Sequence, residues 1–217
     1  MTQVAIAGAS GLVGQQAAEF LAADGIEVHA LLRRQSDELS PNVMQHVAPS
    51  GDWAATIASL SLDIAISCLG TTMRTAGSRD AFRAVDHDLV LAFAKAARDS
   101  GARHMISVSS VGAMPASSSF YLRTKAEVEE RLRAFNFDRL DIIRPGLLTG
   151  GSRSDHRLGE SLGIMLSPLT DLLMFGPLSK YRSTPSAKVA RAIAALAAGT
   201  GQGRFIHEND EINALAG

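Results

Sequence analysis

The sequence predicts an α/β fold in which a doubly wound parallel sheet is flanked by helices on both faces. Short apolar runs alternate with stretches of helical periodicity, and the first run leads through a glycine-rich turn into a helix. Parallel strands need crossover connections, so this alternation favours a parallel sheet over a series of hairpins. Because no repeat or linker interrupts the pattern, we expect a single domain over residues 1–217, with a small substrate-side segment at about residues 152–182.

Length and composition limit the class of protein. The chain has 217 residues, of which 46% are apolar and 20% charged, and its net charge is −1. That size suits one sizeable core, and the neutral balance gives no electrostatic reason to expect a nucleic acid partner. No apolar stretch of the sequence is long enough to predict a membrane span. The single cysteine and the lack of a signal-peptide pattern lead us to expect a cytoplasmic location.

The order of the elements follows from periodicity and from turn residues. Apolar runs predict strands over residues 3–7, 26–32, 43–47, 62–67, 104–110, 140–143 and 203–207. Helical spacing predicts helices after Gly14 and over residues 54–60, 78–84, 85–100, 119–135, 158–175, 183–198 and 208–216. Gly25 and Gly101 suit helix C-termini, because glycine readily adopts a left-handed backbone there. Pro185 suits a first helical turn, where its missing N–H costs nothing.

The glycine-rich turn has the physical features of a dinucleotide site. Three glycines lie three residues apart between the first strand and the first helix. They allow a tight turn, a close approach of backbone to a pyrophosphate, and close packing of the helix on the sheet. The helix N-terminus offers free N–H groups to phosphate, and we expect cofactor contacts from Gly8, Ser10, Gly11, Leu12, Val13 and Gly14. The spacing alone also fits a purely structural strand–turn–helix.

A pair of arginines indicates which dinucleotide is bound. Arg33 and Arg34 end the second predicted strand, and Arg33 lies 19 residues beyond Gly14. Folds that select NAD usually carry an acid there for the ribose 2′-hydroxyl, whereas guanidinium groups bind a 2′-phosphate. We therefore expect NADP (NADPH). The alternative is that the two arginines are solvated charges at the end of a strand, which would give the same sequence pattern. Asp52 either contacts the adenine or caps the helix beside it.

The fourth strand ends in a second candidate cofactor segment, formed by Cys68, Leu69 and Gly70. A glycine at the carboxyl end of a central strand lets backbone pass close to a ligand. Cys68 would need an activating base or cation to act as a nucleophile, and the sequence shows none nearby. We therefore predict that Cys68 packs beneath the cofactor, with a redox role as the alternative.

Ser109 and Ser110 end the fifth strand, and Tyr121 and Lys125 share a helix face eleven residues further on. A glycine turn, a Ser-Ser strand end and a Tyr-xxx-Lys helix in this order resemble the short-chain dehydrogenase/reductase family over nearly the whole chain. The resemblance is to atypical members of that family, in the group that contains the Tat-interacting, NADP-binding protein. It rests on the segments Cys-Leu-Gly-Thr-Thr, Val-Asp-His-Asp, Tyr-Leu-Arg-Thr-Lys and Arg-Pro-Gly.

The resemblance implies roles for these residues. Tyr121 would exchange a proton with the substrate oxygen as hydride moves to or from the nicotinamide, and Lys125 would favour the phenolate and hold the nicotinamide ribose. Ser110 would orient the substrate oxygen, with Ser109 as the alternative. Pro145 would lie near the nicotinamide. The implied activity is that of an NADP-dependent oxidoreductase, and we expect a small, apolar carbonyl or alcohol substrate.

One departure from the family leaves other functions open. The family often places an Asn on the long middle helix, but residues 85–100 contain none and carry Asp86 and Asp88 instead. A non-catalytic NADP(H)-binding sensor or interaction protein is therefore the first alternative, and a nucleotide-sugar epimerase the second. The helices over 85–100 and 119–135 suit a homodimer. The histidines show no metal-ligand spacing, and we expect no metal site.

Overall fold

The structure is a computed structural model that describes residues 1–150 and 181–217. Its main sheet has seven strands, all parallel, in the order β3-β2-β1-β4-β5-β6-β9. The strands are β1 Gln3–Ala7, β2 Glu27–Leu32, β3 Val43–Val47, β4 Ile64–Ser67, β5 His104–Val108, β6 Arg139–Ile143 and β9 Gly203–His207. Two further short strands, β7 Leu148–Thr149 and β8 Thr184–Pro185, pair with each other in parallel. The doubly wound α/β fold is confirmed.

Helices cover both faces of the sheet. They are α1 Leu12–Ala23, α2 Trp53–Ala58, α3 Met73–Ala76, α4 Arg79–Arg83, α5 Val90–Asp99, α6 Phe120–Ala134, α7 Ser186–Ala197 and α8 Asn209–Leu215. A π-helical turn, Ala84–Leu89, joins α4 to α5. Among the described residues, no helix has the length and apolar character needed to cross a bilayer.

Alternate residues of each strand point to opposite faces, and this divides the apolar core into two layers. Val4 and Ile6 of β1 pack in one layer with the buried faces of α1, α7 and α8. Ala5 and Ala7 pack in the other layer with α2, α5 and α6. Because both faces of the sheet are covered, its central strands β1, β2 and β4 are mostly apolar, whereas the edge strands β3 and β9 are partly exposed and carry polar residues.

The strand order creates a crevice at the carboxyl edge of the sheet. β1 pairs with β2 on one side and with β4 on the other, so the chain leaves these strands in opposite directions. Ligands of open α/β sheets bind at this switch point. The loops after β1, β2, β4, β5 and β6 all reach this edge, and they carry the predicted site residues.

Most predicted elements are present, and the differences have local causes. Strands β3 and β9 have the predicted bounds, whereas β5 ends at Val108, before Ser109 and Ser110. The predicted helix over 85–100 begins instead as a π-helical turn, and α3 was not predicted. Pro185 lies in β8 ahead of α7 rather than in the first helical turn, because residues 184–185 pair with β7. The predicted helix over 158–175 lies outside the described residues.

A buried carboxylate joins the last three strands of the sheet. Asp141 of β6 is fully buried, and its oxygens lie 2.7 Å from Nε2 of both His104 and His207. Arg139 Nε donates to the same carboxylate at 2.6 Å. Burial alone would raise the pKa of Asp141, but the hydrogen bonds from His104, His207 and Arg139 outweigh it and hold that pKa below its usual range.

We predict that Asp141→Asn lowers the free energy of unfolding by about 3–5 kcal/mol at pH 7, because removing one partner leaves buried charges uncompensated. The folded pKa is depressed, so this stabilisation is present above the unfolded pKa of about 3.9 and is lost as the pH falls towards the folded pKa. Urea denaturation at pH 7 and pH 3 should therefore show a smaller difference at pH 3. Asp138→Asn, which removes a more exposed partner of Arg103, should change stability by less than about 1 kcal/mol. An equal loss in both variants would contradict the assignment.

Candidate cofactor and active site

Backbone atoms of three segments meet at the glycine turn. Gly8 has a φ of +89°, and a Cβ there would lie 2.6 Å from the carbonyl carbon of Cys68. A Cβ at Gly14 would overlap the carbonyl oxygen of Gly8. Gly8 therefore provides the turn and the contact with the end of β4, and Gly14 provides the close packing of α1. Both observations agree with the reasons for which the sequence analysis singled out these glycines.

The N-terminus of α1 is open to an anion. Its N-cap residue, Gly11, offers no side chain for capping, and the first turn carries no acidic residue. The turn is closed from within, because Gly11 N donates to Gly8 O at 2.9 Å. The first N–H groups of a helix have no intrahelical acceptor, so those of Leu12 and Val13 are available to a phosphate, as is the positive end of the helix dipole.

A cationic cavity lies beside this turn. It has a volume of about 290 Å³ and is lined by Ser10, Arg33, Arg34, Gln35 and Ser36. Both arginines are exposed, and neither has an ion-pair partner within the described part of the chain. Two unpaired guanidinium groups and neighbouring hydroxyl and amide groups fit a phosphate monoester.

The segment after β4 passes directly over the turn. Cys68 N donates to Ala7 O at 2.8 Å, which extends the pairing of β1 and β4. Burial raises the pKa of the Cys68 thiol to about 12, so the thiol stays protonated near neutrality and is a poor nucleophile. This favours the packing role over the redox role. Leu69 packs against the second apolar layer, and Gly70 is exposed in the crevice.

Lys125 lies beneath Gly70 and is buried. Its Nζ is 2.8 Å from Asp86 Oδ1, and both side chains are at most 6% exposed. Asp86 Oδ2 accepts a hydrogen bond from Thr71 N at 2.7 Å. Sequence reasoning noted Asp86 only as a departure from the family. Its contact with Lys125 was not predicted, because it depends on the π-helical turn.

Tyr121 lies one turn before Lys125 on α6 and is half-buried. Its ring packs at 5.6 Å between centroids against Phe82, and Lys125 Nζ lies 6.0 Å from its ring centroid. The structure therefore brings the predicted tyrosine and lysine together on the face of α6 that borders the crevice.

The two serines after β5 have different surroundings. Ser109 is buried, and its hydroxyl donates to Glu129 Oε1 at 2.6 Å. Arg144 holds the same carboxylate through two hydrogen bonds of 2.9 and 2.6 Å, which raise the pKa of Arg144. Ser110 is half-buried, and its hydroxyl donates to Val111 O at 3.3 Å, the one hydrogen bond that it makes among the described residues. The structure therefore favours Ser110 as the hydroxyl that faces a ligand.

The turn after β6 is packed against residues 181–184. Pro145 is buried and accepts from Val111 N at 3.0 Å, which joins the turn to the loop after β5. A Cβ at Gly146 would overlap the carbonyl oxygen of Arg182. This contact brings Tyr181 beside Gly112, where the tyrosine ring would lie 3.8 Å from an added Cβ. The sequence analysis missed Tyr181, because only the backbone contact at Gly146 brings it to the site.

Two smaller expectations concern capping and metals. Asp52 is exposed and makes no side-chain hydrogen bond to α2, so its role as a cap is not seen. Contact with an adenine stays a prediction. In the described ranges, no three His, Cys, Asp or Glu side chains converge as metal ligands.

The parallel sheet, the glycine turn and the Tyr–Lys helix define a dinucleotide-binding domain of the Rossmann type, with the features of an atypical short-chain dehydrogenase/reductase. Residues 8–200 match the family described as NAD(P)H-binding, and the chain belongs to that family. It is 37% identical to the mitochondrial protein fmp52 of Emericella nidulans over 171 residues, 75% of this chain and 73% of that protein. It is 45% identical to Protein HTATIP2 of Rattus norvegicus over 100 residues, 46% of this chain and 40% of that protein.

The fold is also that of solved NAD-dependent proteins. A putative NAD-dependent epimerase/dehydratase from Bacillus halodurans matches with a TM-score of 0.73 and 22% identity, covering 100% of this chain and 99% of the other. At this identity the likeness shows the fold alone. It is consistent with the family match, which rests on sequence.

The expected cytoplasmic location is wrong. Relatives from several fungi, over 30% identical to this chain, are named mitochondrial proteins. The expectation failed because a single cysteine and the lack of a secretory signal pattern are compatible with more than one compartment.

We predict that Gly14→Ala lowers the free energy of unfolding by about 1–3 kcal/mol, because the added methyl group forces α1 away from the Gly8 carbonyl. Urea denaturation measures the loss. Gly51→Ala is the control, since a Cβ there meets nothing within 4 Å, and it should change stability by less than about 0.5 kcal/mol. A Gly14→Ala protein as stable as the Gly51→Ala control would refute the packing role.

Proposed function

We propose that the protein is an NADP-dependent oxidoreductase that transfers hydride between NADP(H) and a small carbonyl or alcohol. The observation that carries the proposal is the placement of Tyr121 beside the buried Lys125, at the sheet edge that also holds the glycine turn. The crevice combines a turn that suits phosphate binding with a tyrosine that can donate a proton. This combination suits a reaction at the nicotinamide end of a bound dinucleotide.

The choice of NADP rests on the cationic cavity. Arg33 and Arg34 follow β2, where the ribose of a dinucleotide held by the α1 N-terminus would lie. Both are exposed and have no ion-pair partner in the part of the chain that the structure describes, which leaves their guanidinium groups available for a 2′-phosphate. The same position carries no carboxylate that would repel that phosphate.

Tyr121, Ser110 and Lys125 have separate roles in the proposed reaction. Bound NADP(H) supplies or accepts the hydride at its nicotinamide. Tyr121 donates its hydroxyl proton to the carbonyl oxygen during reduction and takes it back during oxidation. Ser110 donates a hydrogen bond to the same oxygen and orients it, while Ser109 is engaged with Glu129. Lys125 offers ammonium protons to the nicotinamide ribose.

The described surface around the crevice supports an apolar substrate. Four of the exposed large apolar side chains follow β4, β5 and β6 or precede β8: Met73, Met114, Leu147 and Tyr181. Flexible methionine and leucine side chains give adaptable apolar walls. The predicted substrate-side segment at 152–182 falls almost entirely outside the described residues, so its contribution stays a prediction, as does the homodimer.

A non-catalytic NADP(H)-binding sensor is the second candidate, and Asp86 is the observation that favours it. The family relay would use an Asn, and here a carboxylate contacts Lys125 directly. Such a protein would bind NADPH tightly and oxidise none. The epimerase alternative has no comparable support among the described side chains, although solved neighbours include UDP-glucose 4-epimerase.

We predict that the double variant Arg33→Ala/Arg34→Ala loses about 10- to 100-fold in NADPH affinity, because charge-assisted hydrogen bonds to the 2′-phosphate disappear. NADH affinity should not change. Fluorescence titration measures both. Arg103→Ala removes an exposed arginine beside Asp138 and should leave NADPH binding as it is. Equal affinity of the native protein for NADPH and NADH would refute the NADP assignment.

We predict that Tyr121→Phe lowers turnover by about 10²- to 10⁴-fold while NADPH affinity stays near the native value, because only the proton donor is removed. The assay is NADPH oxidation over a panel of apolar aldehydes and ketones. Ser59→Ala, which removes an exposed hydroxyl between α2 and β4, outside the crevice, is the control and should retain turnover. A native protein that binds NADPH but oxidises it with no carbonyl of the panel would support the sensor instead.

A further inference from the structure

Asp86 is a buried carboxylate that joins three segments of the site. It lies within the π-helical turn Ala84–Leu89 and is fully buried. Its Oδ1 is 2.8 Å from Lys125 Nζ on α6, and its Oδ2 accepts from the backbone of Thr71, in the loop after β4. One side chain therefore connects the helix that carries Tyr121 with the loop that crosses the crevice.

The π-helical turn explains how this carboxylate reaches Lys125. A π-turn contains an extra residue, so the side chains that follow point in directions that a continuous α-helix would not give. The turn is also fixed to α6 at a second place. Arg83, just before it, makes two hydrogen bonds of 2.8 Å to Glu127, and His87 Nε2 lies 3.4 Å from the same carboxylate.

The contact between Asp86 and Lys125 leaves the ammonium available for a ligand. Asp86 Oδ1 is close to Nζ but forms no well-aligned hydrogen bond. An ammonium has three donor protons, so Lys125 can donate elsewhere while its charge is balanced. An added Cβ at Gly70 would lie 3.9 Å from Lys125 Nζ and 3.6 Å from Asp86 Oδ1, so the backbone of the crevice loop lies directly over the pair.

Burial makes the pair interdependent. Lys125 is almost fully covered, and a buried ammonium without a counter-charge is strongly unfavourable. Asp86 has no exposed surface of its own, so it acts through the groups that it holds. The two groups that Asp86 contacts, the Lys125 ammonium and the Thr71 N–H, both lie next to Gly70.

We propose that Asp86 is a positioning residue, which fixes the Lys125 ammonium and the Gly70–Thr71 backbone in the arrangement that receives the nicotinamide ribose. This inference rests on the proposed NADP-dependent function and assigns a role to the residue that replaces the family's Asn. Asp86 then stabilises Lys125 through a direct ionic contact, so the absence of the Asn does not by itself mean that the site is inactive.

A double-mutant cycle on cofactor binding tests this role. Asp86→Asn keeps the side-chain shape and an acceptor for Thr71 but removes the counter-charge of Lys125. It is combined with Lys125→Met, and Asp88→Asn is the control for the charge change, because Asp88 is 62% exposed and contacts His87 rather than Lys125. Each protein is titrated with NADPH and with adenosine 2′,5′-bisphosphate, which carries the adenine half and the 2′-phosphate but no nicotinamide ribose.

We expect Asp86→Asn to weaken NADPH binding about 10-fold, and the double variant to bind it no more weakly than Lys125→Met alone, within about 2-fold, because Asp86 acts through Lys125. Binding of the bisphosphate should stay within about 2-fold of native in every variant, and Asp88→Asn should bind both ligands as the native protein does.

Three results would overturn the role of Asp86. These are unchanged NADPH affinity in Asp86→Asn, losses that multiply in the double variant, and an equal loss for NADPH and the bisphosphate, which would indicate a general structural effect. If Asp86→Asn does not fold, the double variant should fold and bind the bisphosphate, since both charges are then removed. Failure of that rescue would also overturn the role. A native protein that binds neither ligand would instead refute the proposed function itself.

Discussion

The close approach of three backbone segments at the carboxyl ends of β1 and β4 is the constraint on which the site depends. Gly8 lies against the backbone of Cys68, and Gly14 lies against the carbonyl of Gly8. A side chain at either glycine would separate α1 from the sheet. Because these contacts hold, the N-terminus of α1 opens directly onto the switch point of the sheet, where its N–H groups are available to the proposed cofactor.

The two ends of the crevice carry positively charged groups in different surroundings. Near β2 the guanidinium groups of Arg33 and Arg34 are exposed and have no ion-pair partner among residues 1–150 and 181–217, which suits a solvated phosphate. Near β4 and α6 the ammonium of Lys125 is buried and balanced by Asp86, which suits a ribose hydroxyl. Helix α6 is held from its other side by Glu129, which binds both Ser109 and Arg144. The ion pairs of Lys125 with Asp86, Glu127 with Arg83 and Glu129 with Arg144 thus connect α6, the helix that carries Tyr121, to its neighbours.

Local patterns predicted most of the fold. The apolar runs at 3–7, 43–47 and 203–207 gave strand bounds that match the structure. Residues 4–7 are covered on both faces and are therefore all apolar, whereas the other two strands lie at the edges of the sheet and are partly exposed. The glycine turn was also predictable, since each glycine has a steric reason. The Tyr121–Lys125 spacing was sufficient to place both side chains on one helix face.

Features that depend on distant contacts were not predictable. The π-helical turn adds one residue to a helix without any change in periodicity that marks it, so the contact of Asp86 with Lys125 could not be foreseen. The family resemblance already favoured Ser110 over Ser109, but the contact of Ser109 with Glu129, which is 20 residues away, could not be foreseen. Tyr181 reaches the site only because Gly146 allows residues 181–184 to pack against it. Cellular location was wrongly predicted, because composition does not encode it.

A crystal structure with bound NADPH tests the central claim most directly. The account predicts the pyrophosphate on the N–H groups at the start of α1 and the 2′-phosphate between Arg33 and Arg34. It also predicts the nicotinamide ribose on Lys125, with C4 of the ring facing the space beside the Tyr121 hydroxyl. A dinucleotide bound elsewhere, or a nicotinamide directed away from Tyr121, would contradict it.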